Sequence, residues 1–328
     1  MMNLRLHRAV AALAASVLLL AGCGGGDDDG EEAEAVEITL TDVTGEVTLP
    51  VTDSGVYALD EFAGIALLTL DVQPAVVEAF FQDMTLGPII ESEGVTLAAA
   101  GGLEPIAAAE PELILGIGHP NLTELKEQHV GIAPVAYPDF TLPWTDQTEQ
   151  FAAAVGRSDR GEAVVAVIEE RLEEVKAKVA EAGLDGARAS LIQPFGNEYY
   201  AYGPTTLAGT VLADLGFTRS EIQSGAGDFG FIQVSEELLG DETDAELVIS
   251  LSADDGAFGS LFNSPVVNPG DDAFTGDVGD AWVSNTALSA WIILNDIEAI
   301  IVTGEDPATS ADVLDQWSSL KERIDAAS

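Results

Sequence analysis

One stretch constrains the fold of this chain more than any other, the segment from Asp159 to Ala182 near its middle. Apolar residues recur there at steps of three or four, with Glu, Arg and Lys between them, a period typical of an amphipathic α-helix. At about 1.5 Å per residue such a helix spans roughly 36 Å, the width of a small domain. It is therefore either a connector between two lobes or an ordinary long surface helix within one domain. Its apolar positions are Val164, Ile168, Leu172, Val175 and Val179.

Both ends of this predicted helix carry sequence signals. Asp159 is placed to cap the first turn, and Glu162, three residues later, can reach back to the backbone N–H of the cap. Gly183 stands where a helix exit tolerates a positive φ. We place the connecting helix at residues 158–184, between an N-terminal α/β lobe at 37–157 and a C-terminal α/β lobe at 185–328.

Residues 1–22 have the features of a targeting signal and are excluded from the fold. A short basic region, with Arg5 and Arg8, precedes an apolar run at 9–21 that is too short for a typical spanning helix. The run ends in Leu-Ala-Gly-Cys, which resembles the bacterial lipobox, in which the cysteine, here Cys23, becomes the lipidated first residue. The alternative is an uncleaved anchor with an incidental cysteine. Either way we expect the protein on the extracytoplasmic face of the membrane, tethered to it.

Cys23 is the only cysteine of the chain, so the fold contains no disulfide, thiolate metal site or cysteine nucleophile. Residues 23–36 are rich in Gly and acid, and we interpret them as a flexible solvated spacer.

The charge of the chain is strongly negative. The sequence has 12 Lys and Arg against 57 Asp and Glu, a formal net charge of −45. Such a surface repels nucleic acid and anionic lipid headgroups, so a polyanionic partner is excluded. The acids are spread over the whole chain, which favours adaptation to a saline or alkaline medium over a pattern evolved for a cationic partner.

Strands alternate with helices on both sides of the long helix, which predicts mostly parallel sheets. A β-hairpin is predicted at 37–49, before the first lobe. The other predicted strands are 56–59, 113–117, 133–137, 189–195, 199–202, 245–251 and 281–283. The other predicted helices are 60–70, 76–81, 105–109, 121–128, 147–155, 207–215, 287–302 and 312–324.

A set of segments in fixed order resembles a known family. These are VYALDEFAGIALLTL from Val56, GGLEPIAAAEPELILGIGHP from Gly101, YGPTTLAGTVLADLGFTR from Tyr202 and WVSNTALSAWIILNDIEAII from Trp282. Together with the lipobox and the long helix they resemble the solute-binding lipoproteins of ABC importers for ferric siderophores, cobalamin and haem (periplasmic binding protein class III, FecB-like). The resemblance implies two α/β lobes with mostly parallel central sheets, joined by one long rigid α-helix, with the ligand in the cleft between them.

In such folds ligands sit outside the carboxyl ends of parallel strands, which selects loops from both lobes. The resemblance therefore implies ligand-binding residues at Phe62, His119, Tyr137, Trp144, Tyr199, Tyr202, Arg219 and Trp282. Aromatic residues are enriched in these loops, which favours a broad, flat ligand that stacks on rings. The alternative for each aromatic residue is core packing, and for Arg219 an ordinary surface position. His119 is a candidate iron ligand or hydrogen-bond partner.

Arg219 is the one basic residue predicted in the cleft, within a very negative field. Members of the family that bind catecholate siderophores, which are strongly anionic, line the cleft with several Arg or Lys. The ligand predicted here is therefore a neutral or cationic ferric siderophore, hydroxamate-type favoured, with cobalamin or haem as alternatives. Iron is expected only as part of this ligand; no cofactor or protein-bound metal is predicted, because a multi-His cage is not available with His119 and His129.

The resemblance also implies two carboxylates that dock on the permease of the importer, which works with an ATPase. They are Glu104, and Glu237 with its neighbour Glu236 as the alternative. No catalytic residue is predicted, because the chain has no G-x-S-x-G, H-E-x-x-H or G-x-x-x-x-G-K motif. The rival hypotheses are an extracellular carboxylate-based hydrolase and a surface adhesion or sensor lipoprotein on the same fold.

Overall fold

The computed structural model describes residues 36–81, 86–118, 124–225, 227, 230–252, 259–308 and 312–328. The predictions made for the leader, for Cys23 and for His119 lie outside these residues. The strands are β1 (Glu37–Asp42), β2 (Gly45–Pro50), β3 (Val56–Ala58), β4 (Val76–Ala79), β5 (Thr96–Ala99), β6 (Leu113–Leu115), β7 (Val135–Ala136), β8 (Ala189–Phe195), β9 (Glu198–Tyr202), β10 (Phe231–Val234), β11 (Leu247–Leu251) and β12 (Phe274–Val278).

The helices follow in the same chain order. They are α1 (Glu61–Thr69), α2 (Gly87–Ser92), α3 (Leu103–Ala108), α4 (Lys126–Val130), α5 (Trp144–Ala154), α6 (Ser158–Glu181), α7 (Leu207–Asp214), α8 (Leu239–Glu242), α9 (Ala287–Glu298) and α10 (Val313–Ala327). None of the helices in the described ranges is both long enough and apolar enough to cross a membrane.

The N-terminal lobe contains a five-stranded sheet in the order β5-β4-β3-β6-β7, and every pairing in it is parallel. Its central strands read Val-Tyr-Ala and Leu-Ile-Leu and are fully buried, as expected for strands covered on both faces. The predicted hairpin is present as β1 and β2 and packs near β7.

The C-terminal lobe has a sheet with the same plan, in the order β10-β9-β8-β11-β12. Strands β8, β11 and β12 are parallel, whereas β9 runs antiparallel to both β8 and β10. The reason is the connection from β8 to β9, a two-residue turn at Gly196 and Asn197, because so short a link cannot make a parallel crossover. Gly196 has φ +62°, a conformation that favours glycine.

The long helix α6 joins the two sheets, as the periodicity predicted. It packs on α5 and α10 and on α9 of the C-terminal lobe, and one apolar core continues through it from one lobe to the other. The helix begins at Ser158, but its cap was predicted wrongly: Arg157 is the N-cap residue, no side chain caps the helix, and Asp159 lies inside the first turn. Gly183, with φ +78°, ends the helix as expected.

A second element also ties the lobes together. Helix α10, the last of the chain, returns to the N-terminal lobe, where Glu93 accepts hydrogen bonds from Trp317 Nε1 at 2.6 Å and Lys321 Nζ at 3.0 Å. Arg160 of α6 pairs with Asp325 of α10 at 2.9 Å. The lobes are therefore joined by α6 and held by α10, which restrains their relative motion.

Two predictions of secondary structure were wrong. Residues 76–81 were predicted as a helix, but 76–79 form β4, because their branched residues pair between β3 and β5. Residues 281–283 were predicted as a strand, but Asp280–Trp282 is a 3₁₀ turn that follows the edge strand β12.

Candidate ligand-binding cleft

The two lobes meet at a narrow cavity beside the first turn of α1. Phe62, Ile117 and Gln147 line it from the N-terminal lobe, and Asn285 and Thr286 line it from the C-terminal lobe. Its volume of about 20 Å³ is far below the roughly 300–1,000 Å³ of sites that enclose a small molecule. The cavity is too small to enclose a ligand, and we interpret it as the floor of the cleft because Phe62 and Ile117 follow the carboxyl ends of β3 and β6.

This floor is fixed by hydrogen bonds that cross between the lobes. The amide of Asn285 donates to the carbonyls of Phe140 and Leu142, at 3.0 and 2.9 Å. Gln147 of α5 donates to the same two carbonyls, at 3.2 and 3.0 Å. Trp144, predicted to lie in this loop, is instead the first residue of α5, half-buried against the core just below.

Three phenyl rings gather at the carboxyl edge of the N-terminal sheet. Phe62 and Phe81 stack with ring centroids 4.5 Å apart and an interplanar angle of 13°. Phe80 meets Phe81 edge-on at 4.9 Å and 78°. All three are half-buried. We call Phe62, Phe80 and Phe81 the phenylalanine platform.

Three buried carboxylates hold the loops around this platform, and we call Asp60, Glu61 and Glu78 the carboxylate row. Asp60 accepts the N–H of Ala63, which caps α1, and the N–H of Ile117 after β6, both at 2.8 Å. Desolvation by burial raises the pKa of Asp60 to about 7, against the effect of these two donors.

The other two members of the carboxylate row hold the loops after β4 and β5. One oxygen of Glu61 accepts the N–H groups of both Phe80 and Phe81, at 3.1 and 3.0 Å. Glu78 accepts Tyr57 OH at 3.0 Å and the N–H of Gly101 at 3.3 Å. Burial raises the pKa of both carboxyls, while these donors act to lower it.

The carboxyl edge of the C-terminal sheet is built differently, around the hairpin of β8 and β9. Phe195 is 50% exposed at the turn, and its ring centroid lies 6.4 Å from that of Tyr200. Glu198 accepts hydrogen bonds from Tyr200 OH at 2.8 Å and from Gln233 at 2.9 Å, and the bond to Glu198 raises the pKa of Tyr200. We call Phe195, Glu198 and Tyr200 the hairpin wall. Tyr199 points to the other face of the sheet and is half-buried there.

Two predicted ligand contacts are contradicted by burial. Tyr137 is fully buried, and its hydroxyl is hydrogen-bonded to Nδ1 of His129. Trp282 is 1% exposed and donates its indole N–H to Asp296 at 2.7 Å. Both are core residues whose polar atoms have internal partners, so neither presents a surface to a ligand.

Two others lie at the wrong end of the C-terminal lobe. Because β9 is antiparallel, Tyr202 pairs with the amino-terminal half of β8, away from the carboxyl edge, and its OH donates to Gln193 at 2.9 Å. Arg219 follows Thr218, which bridges to Arg188 just before β8, and its guanidinium donates to the carbonyl of Tyr202. Arg219 is therefore a structural residue of the sheet's far end, where burial lowers its pKa to about 10.

The remaining basic residues of the described chain also avoid the cleft. Lys126 lies beside the tip of β1 and β2, and its ammonium is paired with Asp42 at 2.6 Å. The others lie on α6, on α10, or just before α6 or β8: Arg157, Arg160, Arg171, Lys176, Lys178, Arg188, Lys321 and Arg323. The described cleft edges thus carry aromatic and acidic groups.

The two predicted docking carboxylates occupy equivalent places in the two lobes. Glu104 lies in the first turn of α3, after β5, and Glu237 lies in the 3₁₀ turn after β10. β5 and β10 are the corresponding edge strands of the two sheets, and both side chains are exposed. Their role in docking stays a prediction.

Sequence reasoning missed Phe80, Phe81 and Phe195. The first two were assigned to a helix, although a run of four to six branched and aromatic residues is also the signal of a buried strand. With β4 recognised, Phe80 and Phe81 follow its carboxyl end directly. Phe195 was counted as the end of a strand, and the Gly-Asn pair after it was the available signal for a tight turn.

Comparison with known proteins gives one family and a consistent fold. A family model described as periplasmic binding protein matches residues 95–267. The probable siderophore-binding lipoprotein YfiY of Bacillus subtilis is 25% identical over 181 residues, covering 53% of this chain and 55% of that protein. The match thus spans about half the length of this curated relative.

Solved structures resemble most of the chain. The FhuD protein from S. pseudintermedius has a TM-score of 0.70 at 17% identity, covering 81% of this chain and 98% of that one. The petrobactin-binding protein YclQ of Bacillus subtilis gives 0.67 at 14%, covering 81% and 99%. FhuD2 from Staphylococcus aureus with bound ferrioxamine B gives 0.64 at 18%, covering 76% and 98%. These likenesses confirm the predicted fold class, and the family is one of binding proteins, in agreement with the prediction of no enzyme activity.

Proposed function

The chain belongs to the periplasmic binding protein family, and on that premise we propose that it captures a ferric siderophore between its lobes for an ABC importer. The observation that carries this proposal is the lining of the cleft edges, a phenylalanine platform on one lobe and a hairpin wall on the other. Flat aromatic faces suit a bulky complex with apolar and polar surface. The curated relative named as a siderophore-binding lipoprotein, and the similar FhuD2 structure with ferrioxamine B, support the same ligand class.

Among siderophores, we propose a neutral or cationic complex of the hydroxamate type. A strongly anionic catecholate complex needs several cations in the cleft. The described edges instead present carboxylates and rings, and the ammonium of Lys126 is already paired with Asp42. Cobalamin and haem are the alternatives within the family. In this proposal the protein makes no covalent change to the ligand and is restrained from large closure by α6 and α10.

The test is binding of purified protein from residue 24 onward to five probes by calorimetry. These are ferrioxamine B, ferrichrome, ferric enterobactin, haem and cobalamin, with iron-free deferrioxamine as the matched control. We expect binding of a ferric hydroxamate and little binding of deferrioxamine. Binding of none of the five contradicts the siderophore proposal, and preferential binding of ferric enterobactin contradicts the charge argument alone.

Delivery and anchoring are separate parts of the proposal. Charge pairing between Glu104 or Glu237 and basic residues of a permease would set the docking orientation. Replacing both with Lys should reduce uptake of the ferric siderophore by whole cells while leaving its affinity for the protein unchanged. Replacing Cys23 with Ser should release the protein from the membrane fraction, if Cys23 carries the lipid.

A further inference from the structure

The carboxylate row connects neighbouring strand ends in the order of the sheet. Glu78 of β4 reaches the loop after β5, Glu61 reaches from the end of β3 to the loop after β4, and Asp60 reaches from β3 to the loop after β6. All three are at most 2% exposed. Beyond the last backbone pairings of the sheet, these side chains are what hold four adjacent loops together.

Glu61 has a particular place in this row. Its single oxygen Oε2 accepts two consecutive backbone N–H groups, those of Phe80 and Phe81. Its neighbour Phe62 stacks on the ring of Phe81. The loop after β4 is therefore held at two points by successive residues of the first turn of α1. Glu61 holds its backbone, and Phe62 stacks on the ring of Phe81.

The same contact determines what the platform can offer to a ligand. Consecutive backbone N–H groups that converge on one point form a ready anion site. Here the carboxylate of Glu61 already occupies that site from inside the protein. The two donors are unavailable to an anionic ligand, and the carboxylate lies at the base of the loop that carries two of the rings.

We propose that Glu61 is a positioning and specificity-determining residue of the ligand site. Its hydrogen bonds hold Phe80 and Phe81 in stacking position with Phe62, and its charge disfavours anionic complexes on the platform. The specificity part rests on the proposed function, since it concerns which ferric complex is bound. The positioning part is a property of the ligand-free protein.

The variants Glu61→Ala and Glu61→Gln distinguish the positioning role from the specificity role. Alanine removes both acceptor and charge, whereas the amide oxygen of glutamine can still accept two N–H groups and only the charge is lost. Glu112→Gln is the matched control: Glu112 also accepts hydrogen bonds, from Thr52 and Ser54, but lies before β6, at the opposite end of the same sheet. Should Glu61→Ala not fold, Glu61→Asp replaces it, because the side chain shortened by one methylene cannot reach both donors.

The first measurement is amide hydrogen exchange at Phe80 and Phe81 without ligand. We expect exchange about tenfold faster in Glu61→Ala than in the wild type, because the two N–H groups lose their acceptor and the loop after β4 opens more easily. In Glu61→Gln and Glu112→Gln we expect rates within about threefold of the wild type. Equal exchange in the wild type and Glu61→Ala would overturn the positioning role.

The second measurement is affinity for two probes of opposite charge, cationic ferrioxamine B and anionic ferric enterobactin. Glu61→Ala should weaken ferrioxamine B about tenfold, because the platform is no longer pre-organised. Glu61→Gln should hold its affinity for ferrioxamine B within about threefold and raise the ratio of enterobactin to ferrioxamine affinity about tenfold, since one nearby charge is removed. An unchanged ratio overturns the specificity role. If the wild type binds neither probe, the specificity role fails, the other probes decide the proposed function, and exchange alone decides the positioning role.

Discussion

The two lobes share one sheet plan but build their facing edges in opposite ways. In the N-terminal lobe all pairings are parallel, and the loops after the strands are tied together by buried carboxylates. In the C-terminal lobe β9 reverses direction, and the edge is a hairpin turn whose side chains bond to one another at the surface. Buried hydrogen bonds to charged groups constrain a loop far more than exposed ones.

This difference assigns different tasks to the two edges. The phenylalanine platform is a preformed surface, because its backbone is held by Glu61 and its rings stack on one another. The hairpin wall is an exposed surface that can adjust to a ligand at low cost. Under the proposed function, with closure restrained by α6 and α10, one edge of each kind would fit a ligand without large movement of the lobes.

The largest effect is expected from removing the buried indole of the C-terminal lobe. Trp282→Ala should lower the free energy of unfolding by about 3–5 kcal/mol, because it leaves a cavity and deprives Asp296 of a donor. Urea unfolding measures this, with Trp282→Phe as the milder control. A loss of ligand affinity in Trp282→Ala without a change in stability would instead show that Trp282 contacts the ligand.

The next effect tests the buried charge of the N-terminal edge. Burial raises the pKa of Asp60 from 3.8 to about 7, so between these values the folded protein holds the proton more strongly than the unfolded chain. The free energy of unfolding should therefore fall as pH rises from about 4 to 7, on the order of 2–4 kcal/mol at about 1.4 kcal/mol per pKa unit.

Asp60→Asn removes this titration and should flatten the dependence of stability on pH. The general self-repulsion of the acidic chain has the same sign, so the comparison is with Glu112→Gln, which also removes one carboxylate. Thermal unfolding of both variants across the pH range measures how steeply their stability depends on pH. Equal slopes in the two variants would show that Asp60 does not titrate in this window.

A smaller effect compares one ring from each edge. Phe81→Ala should weaken ferrioxamine B about tenfold, because it removes the centre of the platform and an aromatic pair worth roughly 0.5–1.5 kcal/mol beyond its buried area. Phe195→Ala should change the free energy of unfolding by no more than about 0.5 kcal/mol, since the ring is half exposed. Calorimetry of Phe81→Ala measures the affinity, and urea unfolding of Phe195→Ala measures the stability. A loss of stability well above about 0.5 kcal/mol in Phe195→Ala would contradict the assignment of the two edges.

The smallest effect on binding is expected at Arg219. Because it lies at the far end of its sheet, Arg219→Met should leave the affinity for ferrioxamine B unchanged within about twofold. It should lower the free energy of unfolding by about 1 kcal/mol, through loss of the hydrogen bond to the carbonyl of Tyr202. A large loss of affinity in this variant would place the guanidinium in the cleft after all.

Much of the architecture followed from local pattern. The period of Val164, Ile168, Val175 and Val179 identified the buried face of the long helix. The apolar run at 113–117 identified a buried strand, and the helix predicted at 60–70 is α1. Of the predicted ligand residues, Phe62 lies at the cleft floor because it follows β3, a strand that the sequence predicted.

The sequence by itself determined most of the helices, including the long connecting helix, and the strands of the hairpin, β3, β6, β7, β8, β9 and β11, because these depend on periodicity and caps within a few residues of one another. Only the tertiary structure decided which side chains face the cleft. The reversal of β9 sends Tyr202 to the far end, the bridge of Thr218 to Arg188 places Arg219 there too, and burial inside the lobes removes Tyr137 and Trp282. The role of Glu61 also depends on tertiary structure, since the N–H groups that it binds lie 19 and 20 residues away. The physical reason is that strand direction and register are set by pairing between segments distant in the chain, and a local pattern does not contain that information.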